Sequence, residues 1–186
     1  MPSFYFLIFV MIEIIEGDIF DTECKVIAHQ VNCMGVMGSG LAREIKNRWS
    51  NVFFEYLETI KRLDHSCLGG CLIVEAEPGR YIANLFGQYY YKGFFDDPEL
   101  YMRQSPEKRP EINEQGKAIR FTNYEALYNS ISRLKTEMIK YKVDSVSFPW
   151  RLGSDRGGGN WEIIMTMIEE VFKDTGIRVE IRKKGN

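Results

Sequence analysis

The stretch VNCMGVMGSGLAREIK, residues 31–46, decides the fold of this chain. It places Gly35, Gly38 and Gly40 within six residues, between the run KVIAHQVN and a segment with helical spacing. The run is apolar and rich in β-branched residues, which predicts a buried strand, and the glycines predict a loop whose backbone can approach a ligand closely. A strand, a glycine-rich loop and a helix in this order indicate an α/β protein.

A second glycine-rich loop repeats this order near the end of the chain. VDSVSFPW (143–150) predicts a strand, RLGSDRGGGNW (151–161) a loop, and WEIIMTMIEEVFKDTG (161–176) a helix that Asn160 caps. Ligands of open α/β sheets bind at the carboxyl ends of the strands, and glycine loops and helix N-termini attract anions. Two such loops therefore predict a site that grips a diphosphate from both sides.

Neither loop matches a common nucleotide-binding fingerprint. The first loop runs G-x-x-G-x-G instead of G-x-G-x-x-G, and Leu41 and Ala42 follow Gly40 where a Walker loop needs Lys and then Ser or Thr. The sequence thus argues against an NAD oxidoreductase and a P-loop ATPase. The alternative that stays open is that the glycines only make a tight turn and a close strand–helix contact.

The other segments predict a mixed sheet between helical layers. Strands are predicted near 12–16, 71–77, 81–87 and 177–184, and helices near 41–50, 51–63 and 124–142. Strands alternate with helices at both ends of the chain, which favours this architecture. Residues 88–121 hold three prolines, and the six basic side chains between Lys92 and Arg120 balance the six acidic ones. We expect this segment to be an insertion with little regular structure.

Length and charge are those of one ordinary globular domain. The 186 residues carry a net charge of −2, which gives no sign of a polyanionic partner. MPSFYFLIFV (1–10) lacks a basic n-region and a cleavage site, so it predicts an N-terminal extension or an extra strand before a single domain at 11–186. The apolar run is too short to span a membrane, and we expect a cytoplasmic protein without a membrane partner.

The four cysteines lack a secretory context and indicate reduced thiols. His65, Cys67 and Cys71 lie close together in sequence, but a second pair of ligands at zinc-finger spacing is missing. We therefore expect neither a metal site nor a cofactor.

Five pieces of the chain together resemble the macrodomain family, the ADP-ribose-binding α/β/α module. They are IEIIEGDIF, AHQVNCMGVMGSGLAREIK, ANLFGQ, RFTNY and FPWRLGSDRGGGNWEIIMTMIEEVF, and they extend over nearly the whole chain from Met11. They are most similar to the branch with terminal ADP-ribose protein glycohydrolase, yeast-type ADP-ribose 1″-phosphate phosphatases and antitoxin-type DNA ADP-ribosyl glycohydrolases. The resemblance implies a three-layer α/β/α fold with a central mixed sheet, and ADP-ribose or an ADP-ribosylated macromolecule as the partner. A nucleic acid enters only as a possible ADP-ribosylated substrate.

The resemblance also assigns binding residues by position. Asp18 corresponds to an aspartate that accepts a hydrogen bond from the exocyclic amine of adenine, Ile19 to a neighbouring backbone contact, and Asn32 to an asparagine at the distal ribose. The implied diphosphate loops are Gly38, Ser39, Gly40 and Leu41 on one side and Gly153, Ser154, Asp155, Arg156 and Gly157 on the other. From the residues alone, Asp18 can equally be a turn residue, and Asn32 a cap of the following loop.

Catalysis is implied by Lys46 and Asp155. In the hydrolases of this branch a lysine follows the G-x-G-φ-A segment by four residues, and Lys46 matches it. Its amine would attack the anomeric carbon, and the alternative is a solvated helix lysine. The aspartate that partners this lysine aligns with Gly157, so Asp155 takes its place only if the loop shifts. A second hydrolase branch has an aspartate where this chain has Ala42, and that mechanism is not expected here.

Other readings stay open. A phosphatase would need a group that activates water or stabilises the leaving phosphate, for which His29, Asp155 and Arg156 are candidates, although His29 also fits a core histidine and the other two can pair with each other. The aromatic cluster Tyr89, Tyr90, Tyr91, Phe94 and Phe95 either covers the ligand or forms a small core of the insertion. The leading hypothesis is a hydrolase of an ADP-ribose derivative. The alternatives are a non-catalytic reader of ADP-ribose and a nucleotide-binding structural subunit.

Overall fold

The computed structural model of the protein describes residues 12–91 and 103–185. Strands are β1 (Ile12–Glu16), β2 (Val26–Asn32), β3 (Cys71–Glu77), β4 (Arg80–Gln88), β5 (Glu111–Ile112), β6 (Ala118–Arg120), β7 (Ser145–Pro149) and β8 (Arg178–Lys183). Helices are α1 (Gly40–Arg48), α2 (Ser50–Arg62), α3 (Tyr124–Lys140) and α4 (Trp161–Phe172), and two short 3-10 helices span Ile19–Asp21 and Pro106–Lys108.

Six of the described strands form one mixed sheet in the order β1-β8-β7-β2-β4-β3. Every neighbouring pair is parallel except β3 and β4, which are antiparallel. The carboxyl ends of the five parallel strands therefore share one edge of the sheet, and both glycine loops leave the sheet at that edge.

Helices cover the two faces of the sheet, and the alternation along β2 shows how. Val26 and Ala28 pack into a cluster with residues of α3 and α4, whereas Ile27 packs with Ile45 of α1 and Val52 of α2. Because successive strand residues point to opposite faces, an apolar strand of this kind has to be covered on both sides. The predicted three-layer α/β/α fold is confirmed.

The predicted insertion contains a feature that the sequence pattern did not indicate. Within its described part, β5 and β6 pair as a short antiparallel hairpin, joined by a turn at Gly116. The residues after this hairpin pack against the second glycine loop. Residues 1–10 and the cluster members Phe94 and Phe95 lie outside the described residues. In the described part of the chain, no helix combines the length and apolar character needed to cross a membrane.

Candidate ligand-binding site

A cleft of about 270 Å³ lies at the carboxyl edge of the sheet, between the two glycine loops. The end of β2, the first loop with the start of α1, and the second loop supply most of its walls. Nine of the predicted site residues line it: Asn32, Gly38, Ser39, Gly40, Leu41, Gly153, Asp155, Arg156 and Gly157. The two loops that the sequence pointed to are thus brought together around one cavity.

Asn32 organises the first loop, which spans residues 33–39. Its side-chain oxygen accepts hydrogen bonds from the backbone N–H groups of Met34 (2.9 Å) and Val36 (3.2 Å), and its amide donates to the carbonyl of Val36 (2.7 Å). The hydroxyl of Tyr56, on α2, lies 3.0 Å from the same side-chain oxygen. The alternative role of Asn32 as a cap of the following loop is therefore real, while its contact with a ribose stays a prediction.

The first loop presents open backbone where α1 begins. Gly40 has a φ of +55°, which favours glycine, and a Cβ added there would meet nothing within 4 Å. Ser39 occupies the N-cap position without a side-chain hydrogen bond, and the first turn of α1 has no acidic residue. Free N–H groups at a helix N-terminus are good donors for an anion.

The second loop, residues 150–160, uses its glycines differently. A Cβ on Gly157 would lie 2.3 Å from the hydroxyl of Thr122 and 2.5 Å from the carbonyl oxygen of Gly153. The carbonyl of Gly157 accepts hydrogen bonds from the N–H groups of Phe121 (2.8 Å) and Thr122 (3.0 Å), and the Thr122 hydroxyl donates to the carbonyl of Gly153 (2.7 Å). These glycines let the loop pack closely against the chain that follows the β5–β6 hairpin.

Gly157 stands where the resemblance expects a catalytic aspartate, and the packing leaves no room for a side chain there. Asp155 lines the cleft two residues earlier, with its side chain about two-thirds exposed. It forms an ion pair with Arg151 at 3.3 Å, whereas the sequence suggested a pair with Arg156. Ser154 is buried beneath the loop and does not line the cleft.

Lys46 is not among the residues that line the cleft. It lies on the exposed side of α1, and its Nζ is 4.0 Å from the centre of the Phe53 ring on α2, a cation–π contact. Its predicted catalytic role requires the side chain to leave this contact, and that role stays a prediction.

Asp18 and Ile19 are not among the residues that line the cleft. Asp18 caps the first 3-10 helix through the N–H of Phe20 (3.0 Å) and pairs with Lys184 at 3.0 Å. The Phe20 N–H and the Lys184 ammonium hold the pKa of the Asp18 carboxyl below its usual value. Ile19 is buried against Ile27 and Ile45. Their assigned adenine contacts stay predictions.

Two polar residues of β2, His29 and Gln30, line the cleft, and no sequence motif marks either of them as a ligand-binding residue. The amide nitrogen of Gln30 donates to Gln88 (2.6 Å) and to the Thr122 hydroxyl (2.9 Å), which ties the second loop to the sheet. His29 is buried, and its Nε2 lies 2.8 Å from the side-chain oxygen of Asn84. Burial lowers the pKa of His29 to about 4, so its ring is neutral at pH 7. Two polar residues inside an otherwise apolar strand were the sequence signal.

The described members of the aromatic cluster lie in different surroundings, one in the cleft and one in the interior. Tyr91 lines the cleft, while Tyr90 is buried and contacts Tyr89 edge-on, with ring centres 4.7 Å apart. The four cysteines are free thiols. Among residues 12–91 and 103–185, no group of three His, Cys, Asp or Glu side chains is placed to hold a metal ion.

Fold and cleft together define a three-layer α/β/α protein with a cavity between two glycine loops. No protein-family model matches the chain. It is 23% identical, over an alignment that covers 97% of this chain and 45% of the relative, to a DNA ADP-ribosyl transferase–DNA ADP-ribosyl glycohydrolase fusion protein of Thermosipho africanus. The chain spans less than half the length of the curated relatives that it matches.

The fold is also similar to solved structures. The macrodomain of Mycobacterium tuberculosis DarG matches with a TM-score of 0.72 at 19% identity, over 95% of this chain and 99% of that one. Thermosipho africanus DarTG in complex with ADP-ribose matches with a TM-score of 0.67 at 16% identity, over 92% of this chain and 41% of that one. The chain therefore has the macrodomain fold, and the resemblance seen in the sequence is confirmed for the fold.

Proposed function

We propose that this protein binds ADP-ribose in the cleft between its two glycine loops and hydrolyses an ADP-ribosyl derivative. The observation that carries the proposal is the cleft itself, where open backbone at the start of α1 faces a second, tightly fastened glycine loop across one cavity. Backbone N–H groups on both sides suit a diphosphate. The similar chains named above support the choice of ADP-ribose, because one was solved with it and another is a DNA ADP-ribosyl glycohydrolase fusion.

The substrates we propose are ADP-ribosyl adducts on DNA or protein, or ADP-ribose 1″-phosphate. In the adduct reaction, a deprotonated Lys46 amine would form a bond to the anomeric carbon while the bond to the macromolecule breaks, and water would then release ADP-ribose. Asp155 lines the cleft and would assist as a base or by orienting the lysine. Both roles require movement, because Lys46 contacts Phe53 and Asp155 pairs with Arg151 in the structure.

Two observations favour a second candidate, a non-catalytic reader of ADP-ribose. Lys46 is not among the residues that line the cleft, and the close packing at Gly157 excludes an aspartate at the position the lysine mechanism uses. A reader would keep the cleft and both loops and would need neither Lys46 nor Asp155.

Calorimetric titration with ADP-ribose, with ADP as the control, tests binding. We expect micromolar affinity, about −8 kcal/mol, and clearly weaker binding of ADP. Equal binding of the two ligands would contradict the proposal and favour a nucleotide-binding structural role. No binding of either ligand would mean that the chain shares the fold without the function.

Turnover separates the enzyme from the reader. The parent protein should release ADP-ribose from ADP-ribosylated DNA or protein, or phosphate from ADP-ribose 1″-phosphate, and Lys46→Ala should abolish the release from adducts while retaining ADP-ribose binding. A parent that binds ADP-ribose but turns over none of these substrates is a reader, and unchanged turnover in Lys46→Ala excludes the lysine mechanism.

A further inference from the structure

His29 lines the cleft, and only one of its two ring nitrogens has a hydrogen-bond partner among the described residues. The residue is 2% exposed and is counted among those that line the cleft. Its Nε2 contacts Asn84 on β4, the residue directly opposite it in the sheet register. Its Nδ1 is buried and has no hydrogen-bond partner among residues 12–91 and 103–185.

The neighbouring bonds fix the tautomer of His29. The amide nitrogen of Asn84 donates to the carbonyl of Leu72 at 3.3 Å, so the Asn84 oxygen is the atom that faces His29. That oxygen can only accept, and Nε2 of His29 must therefore carry the proton. The ring is neutral, because burial lowers its pKa, and Nδ1 is left as an acceptor with a free lone pair.

A buried acceptor without a donor is costly, by about 1–3 kcal/mol, and natural structures rarely leave one unexplained. A donor that enters the cleft from solvent would remove this cost. Of the groups in ADP-ribose, the ribose hydroxyls are neutral donors that also accept, which suits a neutral imidazole beside a wall of backbone groups. His29 is two residues after Ile27 on the same strand, and Ile27 packs with Ile45 of α1. Its side chain therefore lies on the α1 side of the sheet, where the first loop leads into α1.

We propose that Nδ1 of His29 accepts a hydrogen bond from a hydroxyl of the distal ribose when ADP-ribose binds. The proposal rests on the proposed function and adds a positioning residue to it: the acceptor fixes the orientation of the sugar and draws it against the first loop. The nitrogen has less than 1 Å² of exposed surface, so a ribose hydroxyl can reach it only if part of the cleft wall moves. The segment that can yield is the first loop, which contains neither helix nor strand between Cys33 and Ser39.

Nitrogen-15 NMR of the histidine rings tests this directly, because the chain has only two histidines. Nδ1 of His65 lies 2.8 Å from the carbonyl of Cys33 and must carry a proton, whereas Nδ1 of His29 carries none, so the two rings give distinguishable spectra. On addition of ADP-ribose, the unprotonated Nδ1 resonance of His29 should shift in the direction of an accepted hydrogen bond. ADP, which lacks the distal ribose, should leave the His29 resonance in place.

A matched pair of variants gives a second readout. The side chain of His29→Gln can keep an N–H donor for Asn84 but has no acceptor at the Nδ1 position, and it should fold while binding ADP-ribose about five- to tenfold more weakly, with ADP binding unchanged. His29→Asn places an amide oxygen near the Nδ1 position and should recover part of the affinity.

The outcomes separate this inference from the function beneath it. If the parent binds ADP-ribose more tightly than ADP and the His29 resonance stays in place, the proposed function stands and the role of His29 is overturned. A shift of the same size with ADP overturns the distal ribose as the donor. If the parent does not bind ADP-ribose, both proposals fail.

Discussion

The two glycine loops look alike in sequence and are built on different principles. Both follow a buried strand and lead into a helix. In the first loop, a Cβ on Gly40 would meet open space, and one side chain, Asn32, holds the loop backbone. In the second, Gly157 lies against Thr122 and Gly153 with no space for a Cβ. Glycine leaves the backbone open in the first loop, and in the second it allows another part of the chain to pack closely.

The first loop therefore forms a loosely packed wall of the cleft, and the second loop forms a closely packed one. The second loop is fastened by hydrogen bonds from amide, hydroxyl and backbone groups, none of which titrates near neutral pH. The wall on the side of the first loop contains the buried, ionisable ring of His29. Changes of pH, of glycine and of the fastening side chains should therefore act on the two walls differently.

The largest effect we expect is an acid destabilisation that originates at His29. Its folded-state pKa, about 4, is below the ordinary value of 6.5, so the fold prefers the neutral ring. The stabilisation is complete above pH 6.5 and is lost as the pH falls from 6.5 toward 4, where the unfolded chain binds a proton that the folded chain rejects. The loss reaches about 3 kcal/mol. Urea unfolding of the parent and His29→Gln across this range should show the difference between them shrink by that amount as the pH falls. Parallel curves would contradict the buried neutral ring.

Next in size is the contrast between Gly157→Ala and Gly38→Ala. Neither glycine has a positive φ, so the pair differs in space alone. The new methyl at Gly157 collides with the Gly153 carbonyl, and we expect a loss of about 2–3 kcal/mol in the free energy of unfolding. At Gly38 the nearest atom is a side-chain carbon of Val36 at 3.8 Å, and the change should be within about 0.5 kcal/mol. Equal losses in thermal unfolding would mean that the two loops are packed alike.

Most of the fold was predictable because its elements are specified locally. The apolar, β-branched run in KVIAHQVN predicts β2. Asn160 caps α4 through the N–H groups of Glu162 and Ile163, as its sequence position indicated. The glycine loops were also recognisable as a pair. What their glycines contact was not predictable, because Thr122 lies more than 30 residues from Gly157 in sequence and meets it only in the folded sheet.

The candidate site was predictable in its backbone and less so in its side chains. Where Lys46 points depends on Phe53, one helix further along, and where Asp155 pairs depends on the left-handed turn at Arg151. A motif specifies neither. The β5–β6 hairpin was missed because strands of two and three residues are too short for an alternating pattern to be seen.

Two variants, each lacking the side chain that holds one of the loops, should loosen the two loops separately. Asn32→Ala removes the bonds to Met34 and Val36 and should cost about 2 kcal/mol, with faster amide hydrogen exchange in residues 34–38. Thr122→Val removes the bond to Gly153 and should speed exchange at Gly159, whose N–H is bonded to the same carbonyl, with little change in the first loop. Faster exchange in both loops after either change would show that the walls are coupled.

The smallest effect concerns whether the site extends beyond the two loops to Asp18. Lys184 pairs with Asp18 at 3.0 Å and lies 3.9 Å from Glu44 on α1, and its side chain is about two-thirds exposed. If the adenine amine donates to Asp18, the lysine competes with it, and Lys184→Ala should bind ADP-ribose about twofold more tightly, since exposed ion pairs are weak. Lys173→Ala is the matched control, because it removes the same charge from a similarly exposed pair with Glu170. Tighter binding in Lys184→Ala alone would extend the site to Asp18. Weaker binding in Lys184→Ala would mean that its ammonium contacts the ligand. Equal changes of affinity in both variants would be an effect of net charge, and the site would then be limited to the two loops.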